Sequence, residues 1–287
     1  MANPKKITAI GHLQELVNTK KDKLQVEETV KDMTALQLSL FDIAPWSDNM
    51  RGMPNDIARC ALFTTRHPKV ERVAYTQQPV YSFNKDVKML FTGTELRAID
   101  DELVWIQVLE YVKRLPYGDE VSFSLYQLCK DLGLTPCKGS YTKIENSLSR
   151  LFAAAIQITS ERLGRLQSVK LISKFYMTDR STRSAKCHVQ IEQDLIVLFA
   201  NKHYSRFEWE SYRSLTPTAR RLYDYFISHK EPYPLSLKTF QQICGSETAQ
   251  LRKWRQQCEK ACQELVEKEM VTLAFLDKDD DSLKCIR

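Results

Sequence analysis

Gln250, Arg252, Lys253, Gln256 and Gln257, with Arg255 on their flank, bring guanidinium, ammonium and carboxamide groups onto one stretch of chain. Guanidinium and ammonium groups neutralise phosphate and pair with guanine, and carboxamides pair with adenine. The same stretch places Leu251, Trp254, Cys258, Ala261, Cys262 and Leu265 three and four residues apart, so a helix over Glu247 to Lys268 presents one apolar and one polar side. An earlier set, Lys138, Ser140, Tyr141, Lys143, Ser147 and Arg150, lies off a second stripe of Ile144, Leu148, Leu151 and Phe152, expected on a helix over Ser140 to Ala155. Residues 138–188 hold ten basic side chains against three acidic ones, an excess of seven beside +6 for the whole chain. Positive charge gathered on one stretch is the footprint of phosphate binding. The alternative is a basic face that only meets water.

Bond-breaking chemistry finds little support. A nicking enzyme needs a His-hydrophobe-His metal cluster and a tyrosine nucleophile, and His12, His67, His188, His203 and His229 offer no such spacing. Pro136-Cys-Lys-Gly-Ser140 has the residue types of a nucleotide phosphate loop in the wrong order. The eight cysteines include no C-x-x-C pair, and Cys258 and Cys262 sit on an apolar helix face, where buried free thiols are common. The expectation is a protein that is not an enzyme and uses no metal or cofactor, in a reducing interior. With 43% hydrophobic and 27% charged residues the composition is that of a globular protein. No apolar run approaches the ~18 residues of a membrane span, and none follows the basic Met1-Ala-Asn-Pro-Lys-Lys as a signal peptide requires. A cytoplasmic location without membrane contact is expected.

The elements that must position these side chains can be read around the long helix. Ser236 to Cys244 is a short helix with Ser236 as cap, and Gly245-Ser246 makes the break. After the long helix come a strand (Val271 to Phe275), a charged turn (Asp277 to Asp281) and a returning strand (Ser282 to Ile286). Helix, turn, basic helix and hairpin describe a winged helix-turn-helix, whose second helix enters a DNA major groove. An earlier version runs from an apolar helix at Asp101 to Leu115, ended by Pro116 and Gly118, through a short helix at Ser122 to Cys129 capped by Ser122. Strands at Ile156 to Thr159, Ser168 to Met177 and Cys187 to Glu192 follow, with Arg162 and Arg165, then Arg180 and Arg183, in the turns. The repeat falls at about 114 residues: Ser122 answers Ser236, and Tyr126-Gln127 answers Phe240-Gln241. The second copy's leader helix starts at Thr216-Pro217, a cap followed by proline at the first helical position.

The expected fold is therefore α+β, two tandem winged-helix domains (57–200 and 201–287) preceded by a flexible N-terminal arm (1–56), with residues 201–213 as linker. Short strands are expected at Val70 to Tyr75, Val80 to Phe83 and Lys88 to Phe91. Two such domains in one chain suggest recognition helices about one DNA turn apart. The wing around Arg162 and Arg165 is the candidate for a backbone or minor-groove contact. The acidic second wing is expected to point away from DNA or to face a basic partner.

Within the polar arm, Gln37, Leu38, Ser39, Leu40 and Phe41 look like the pentapeptide by which bacterial replication proteins grip the polymerase sliding clamp. Leu40 and Phe41 would enter an apolar pocket, Gln37 would hydrogen-bond beside it and Leu38 would pack on its rim. The alternating Leu36, Leu38 and Leu40 also suit an edge strand. With Ala44-Pro-Trp-Ser-Asp-Asn49 and the doubled winged helix, this peptide makes the chain resemble the TrfA family, replication initiators of broad-host-range IncP plasmids. The likeness is most specific over residues 36–60 and 215–265. It implies binding to directly repeated origin sites (iterons), opening of an adjacent AT-rich segment with single-stranded DNA exposed, and recruitment of the host helicase DnaB, the host initiator DnaA and the sliding clamp. It also implies a monomer–dimer equilibrium in copy control. A winged-helix transcriptional repressor is the alternative, and the clamp peptide is what separates the two.

Overall fold

The computed structural model describes residues 39–116, 118–160, 164–179 and 185–287. The chain begins with α1 (Leu40–Ile43), β1 (Met50–Pro54), α2 (Asn55–Ala58), β2 (Phe63–Thr64), β3 (Ala74–Val80), β4 (Lys88–Thr94) and β5 (Leu96–Arg97). There follow α3 (Asp101–Val112), β6 (Val121–Ser124), α4 (Leu125–Asp131), α5 (Lys138–Ala153), β7 (Ala155–Ser160), β8 (Gly164–Lys170), β9 (Lys174–Thr178) and β10 (Lys186–Gln190). A 3-10 helix (Gln193–Lys202), β11 (Tyr204–Glu208) and α6 (Trp209–Ser214) lead into α7 (Pro217–Ile227), β12 (Leu235–Ser236), α8 (Leu237–Ile243), α9 (Leu251–Glu267), β13 (Leu273–Asp277) and β14 (Ser282–Ile286).

Two stretches share one topology. In α3 to β10 and again in α7 to β14, a leader helix is followed by a strand, a short helix, a long helix and a hairpin. The hairpin's last strand lies in the middle of an antiparallel sheet, in the orders β6-β10-β9 and β12-β14-β13. Both are winged helices, and the fold is α+β, as the sequence suggested. Local chemistry explains the short helices. The Ser124 hydroxyl accepts from the Gln127 amide at 3.0 Å, and the Ser236 hydroxyl from the Thr239 amide at 3.1 Å. Each is left through a glycine in the left-handed region, Gly133 (φ +68°) and Gly245 (φ +55°), where a side chain would be strained. The cap of α4 is thus Ser124; Ser122 lies in β6. From cap to glycine the two copies are 112 residues apart. The buried pairs Ile144/Cys258, Leu148/Cys262 and Leu151/Leu265 keep the 114-residue spacing, because the second copy spends two more residues before its long helix registers with the core.

Strand partners differ from expectation. Residues 168–177 form two strands, split at the buried Leu171 and Ile172, and they join different sheets. β7 and β8 extend the earlier strands into a four-stranded sheet, β3-β4-β7-β8, whose inner face is Met89, Phe91, Ile156, Ile158 and Val169. The strand that carries Arg165, β8, belongs to this sheet and not to the wing. The strand pair equivalent to β13 and β14 is β9 and β10. Apolar alternation tells which way side chains face, not which sheet a strand joins.

The expected boundaries also move. Residues 39–56 belong to the folded body: Leu40, Ala44, Trp46 and Met53 are buried, and β1 pairs with β11 from Met50↔Glu208 to Pro54↔Tyr204. The stretch expected as a linker, 201–213, therefore holds β11 and most of α6. Between the leader helices lies a buried charge network: Glu102 of α3, and Arg220, Arg221 and Asp224 of α7.

Candidate nucleic-acid interface

Helix α9 is held by the face that the sequence assigned to the core. Trp254, Cys258, Ala261, Cys262 and Leu265 are buried, and the Trp254 indole N–H donates to the Leu237 carbonyl at 2.9 Å, fixing α9 against α8. Gln250, Arg252, Lys253, Gln256 and Gln257 are all exposed. Leu251, placed in the apolar stripe from sequence, is 53% exposed, because the first helical turn starts ahead of the core. Arg255 is committed elsewhere: its guanidinium meets the Asp281 carboxylate at 2.5 Å.

That pair belongs to the second wing, which is less acidic than its sequence reads. Lys284 meets Asp277 at 2.7 Å and Asp280 at 3.1 Å. The Lys284 ammonium holds the Asp277 carboxyl below its ordinary range, and the Ser282 hydroxyl, with Lys284, does the same for Asp280. Three of the turn's four carboxylates are answered from within the module. The tip therefore repels a phosphate backbone less than its composition implies, and it fastens Arg255 to the hairpin.

Helix α5 divides the residues expected to touch DNA. Lys138 and Lys143 are exposed, and Ser140 and Tyr141 are half-buried, Tyr141 packing on the core. Ser147 and Arg150 face inward. The Ser147 hydroxyl donates to Asp101 Oδ1 at 2.8 Å, and the Arg150 guanidinium donates to the same oxygen at 2.8 and 3.0 Å. Arg72 grips Asp101 from the other side at 2.7 Å. Burial pushes the Asp101 carboxyl up, and the two guanidiniums offset that burial. Arg150 therefore does not reach DNA as the sequence led one to expect: Asp100 and Asp101 at the start of α3 need cationic partners, and α5 supplies one.

The exposed side of α5 instead adds Thr142, Asn146 and Ser149, in line with Lys138 at helical spacing. They carry no charge, so a search for basic residues does not find them. The 3.6-residue period alone places them on the outer face, and Asn146 has the amide that pairs with adenine. Cys137, the N-cap residue of α5, is exposed, and its sulfur lies 3.4 Å from the Ser140 hydroxyl, which holds the thiol below its ordinary range. Arg162 lies outside the described residues. Arg165 is paired in register with Thr159 in the four-stranded sheet.

Of the clamp-like pentapeptide, Gln37 and Leu38 lie outside the described residues, whereas Ser39, Leu40 and Phe41 are docked on the first winged helix. Among the described residues no three or more His, Cys, Asp or Glu side chains group as a metal site, and no helix is long and apolar enough to cross a membrane.

The two long helices are each buried along one face and present Lys, Arg, Gln, Asn and Thr on the other. A family model described as "TrfA protein" matches residues 5–287. The plasmid replication initiator protein TrfA from Escherichia coli is 49% identical over 287 residues, covering 100% of this chain and 75% of that protein. Among solved structures, domains 2 and 3 of RctB superpose with a TM-score of 0.48 at 12% identity, over 74% of this chain and 85% of theirs. A second crystal structure of RctB domains 2-3 gives 0.48 and 12% over 72% and 80%. On the full-length family match and on near-half identity from end to end, the chain belongs to the TrfA family of plasmid replication initiators.

Proposed function

We propose that this chain starts plasmid replication by binding directly repeated origin sites, with α5 and α9 in successive major grooves of one repeat. The observation that carries this reading is the recurrence of one winged-helix topology within a single chain, each copy with its long helix exposed on a polar, basic face. Lys138, Lys143, Arg252 and Lys253 would neutralise phosphate, and Asn146, Gln250 and Gln256 would read adenine edges. Binding, not catalysis, is the chain's contribution: bound copies strain the neighbouring AT-rich duplex, and single-stranded DNA, DnaA and DnaB assemble on the opened segment. Residues 37–41 bring the sliding clamp to the same place, and pairing of two copies limits initiation. All of this happens in the bacterial cytoplasm.

Footprinting on a plasmid origin tests the reading. One bound copy should protect two major-groove faces about 10–10.5 base pairs apart. Arg252→Ala with Lys253→Ala should remove one of the two faces. Protection of a single face by the unaltered chain, or a footprint unchanged by the α9 double variant, would overturn it.

A further inference from the structure

The end of the peptide proposed to grip the clamp is already occupied. Leu40 retains 1% of its exposure. Helix α1 opens with a capping box, in which the Ser39 amide and hydroxyl both donate to Asp42 Oδ2 at 2.8 Å. The Phe41 amide donates to the Lys113 carbonyl at 2.7 Å, and Ser39 bridges Pro116. The Arg114 guanidinium lies 4.2 Å from the centre of the Phe41 ring, within cation–π range. The following residues hold the segment down: the Trp46 indole N–H donates to Glu110 at 2.8 Å, and Asp48 meets Lys113 at 2.9 Å and Arg114 at 3.3 Å. Much of the receiving side comes from the last turn of α3 and the residues just after it.

A clamp pocket needs the Leu40 and Phe41 side chains presented outward on an extended backbone. Here the same two side chains sit on a helical turn, one sealed in the core and the other against a guanidinium. They cannot be in both places. We propose that the C-terminal end of α3 is a docking site in cis for Leu40 and Phe41, and that the sliding clamp engages only the undocked peptide. This rests on the reading of residues 37–41 as a clamp ligand and adds its regulation. Apparent clamp affinity then equals the free peptide's affinity multiplied by the fraction of chains in which the segment is released. Release is local, since peripheral segments open at lower cost than the whole fold.

The test measures purified bacterial sliding clamp binding to three ligands: a synthetic peptide of residues 33–43, the full chain, and the full chain with Arg114→Ala. Hydrogen exchange of the free full chain is followed at residues 40–44. The peptide is expected to bind at least roughly tenfold more tightly than the full chain. Arg114→Ala should recover about two- to fivefold of that difference, the size of one cation–π contact. The amides of residues 41 and 44 should exchange slowly in the free chain. Equal affinities of peptide and full chain, or unprotected exchange at residues 41 and 44, would overturn the docking. A peptide that does not bind the clamp, with exchange still slow at residues 41 and 44, would instead remove the clamp reading and with it the regulatory role.

Discussion

Glu102 on α3 and Arg221 on α7 meet at 3.1 Å with neither side chain exposed, and they tie the leader helix of one winged helix to that of the other. Arg221 also bonds Asp224 at 2.9 Å and the carbonyls of Ala58 and Cys60 at 2.9 and 2.6 Å. With the Trp209 indole on the Asp131 carbonyl at 2.9 Å and the Thr65 amide on the Cys244 carbonyl at 2.8 Å, this junction is one of the contacts that join the two modules. Removing Glu102 would leave two buried guanidiniums, Arg220 and Arg221, to share Asp224. Glu102→Ala should therefore lower the free energy of unfolding by about 3–5 kcal/mol in urea titration. A loss below about 1 kcal/mol would show that water reaches the site.

Asp224 makes the same junction sensitive to pH. Burial, with Glu102 nearby, pushes its carboxyl up to about 7 although Arg221 opposes the rise. Between the unfolded carboxyl's value near 4 and that level, the folded state keeps a proton that the unfolded state has lost. Stability should fall as pH rises through that window and level off above it, by up to about 1.4 kcal/mol per pH unit from this group. Denaturation midpoints from pH 4 to 8 should show the decline in the unaltered chain and a reduced decline in Asp224→Asn. Parallel curves for the two proteins would refute the assignment.

The division of α5 into an inner and an outer face separates two kinds of variant. Lys143→Ala should reduce the slope of log affinity against log salt on origin DNA by roughly one unit, as expected for one lost phosphate contact. Asn146→Ala should relax sequence preference by about 1–3 kcal/mol at one base pair with little change in slope. Arg150→Ala should lower thermal stability and leave the slope where it was, since its partners are Asp100 and Asp101. A salt slope that falls with Arg150→Ala and not with Lys143→Ala would reverse the assignment.

Gly245 is constrained twice. Its φ of +55° disfavours any side chain, and a Cβ there would come within 2.8 Å of Thr64 in β2. Gly245→Ala should cost about 1–2 kcal/mol from the backbone alone, with the clash in addition. Calorimetry should show a lowered melting temperature, and Thr64→Ser, which removes the methyl group, should restore part of it. No rescue would mean that the contact with Thr64 contributes nothing.

Cys137 is the one fully exposed cysteine of the eight, which are all free thiols, and it stands at the start of α5. Burial pushes the thiols of Cys60, Cys187, Cys244 and Cys262 up to about 12, whereas that of Cys137 is lowered. Brief alkylation of the native protein should label Cys137 first by peptide mass mapping, and origin binding should weaken as labelling proceeds. Full labelling with unchanged binding would place the start of α5 away from DNA.

The sequence by itself determined the local elements. The spacing of Trp254, Cys258, Ala261, Cys262 and Leu265 dictates a helix with one buried face, Ser236 and Thr216-Pro217 mark helix starts, and the order of elements repeats. These features depend on residues three or four apart, so they survive without knowledge of the rest of the chain. The tertiary structure decided what distance in sequence hides. It split residues 168–177, which read as one strand, between two sheets, because strand partners lie many residues away. It turned Arg150 inward to Asp101, 49 positions earlier, because a buried carboxylate needs a cation wherever the chain can supply one. It buried Leu40 and set Phe41 on the Lys113 carbonyl and the Arg114 guanidinium, more than 70 positions later, which come together only when the chain folds.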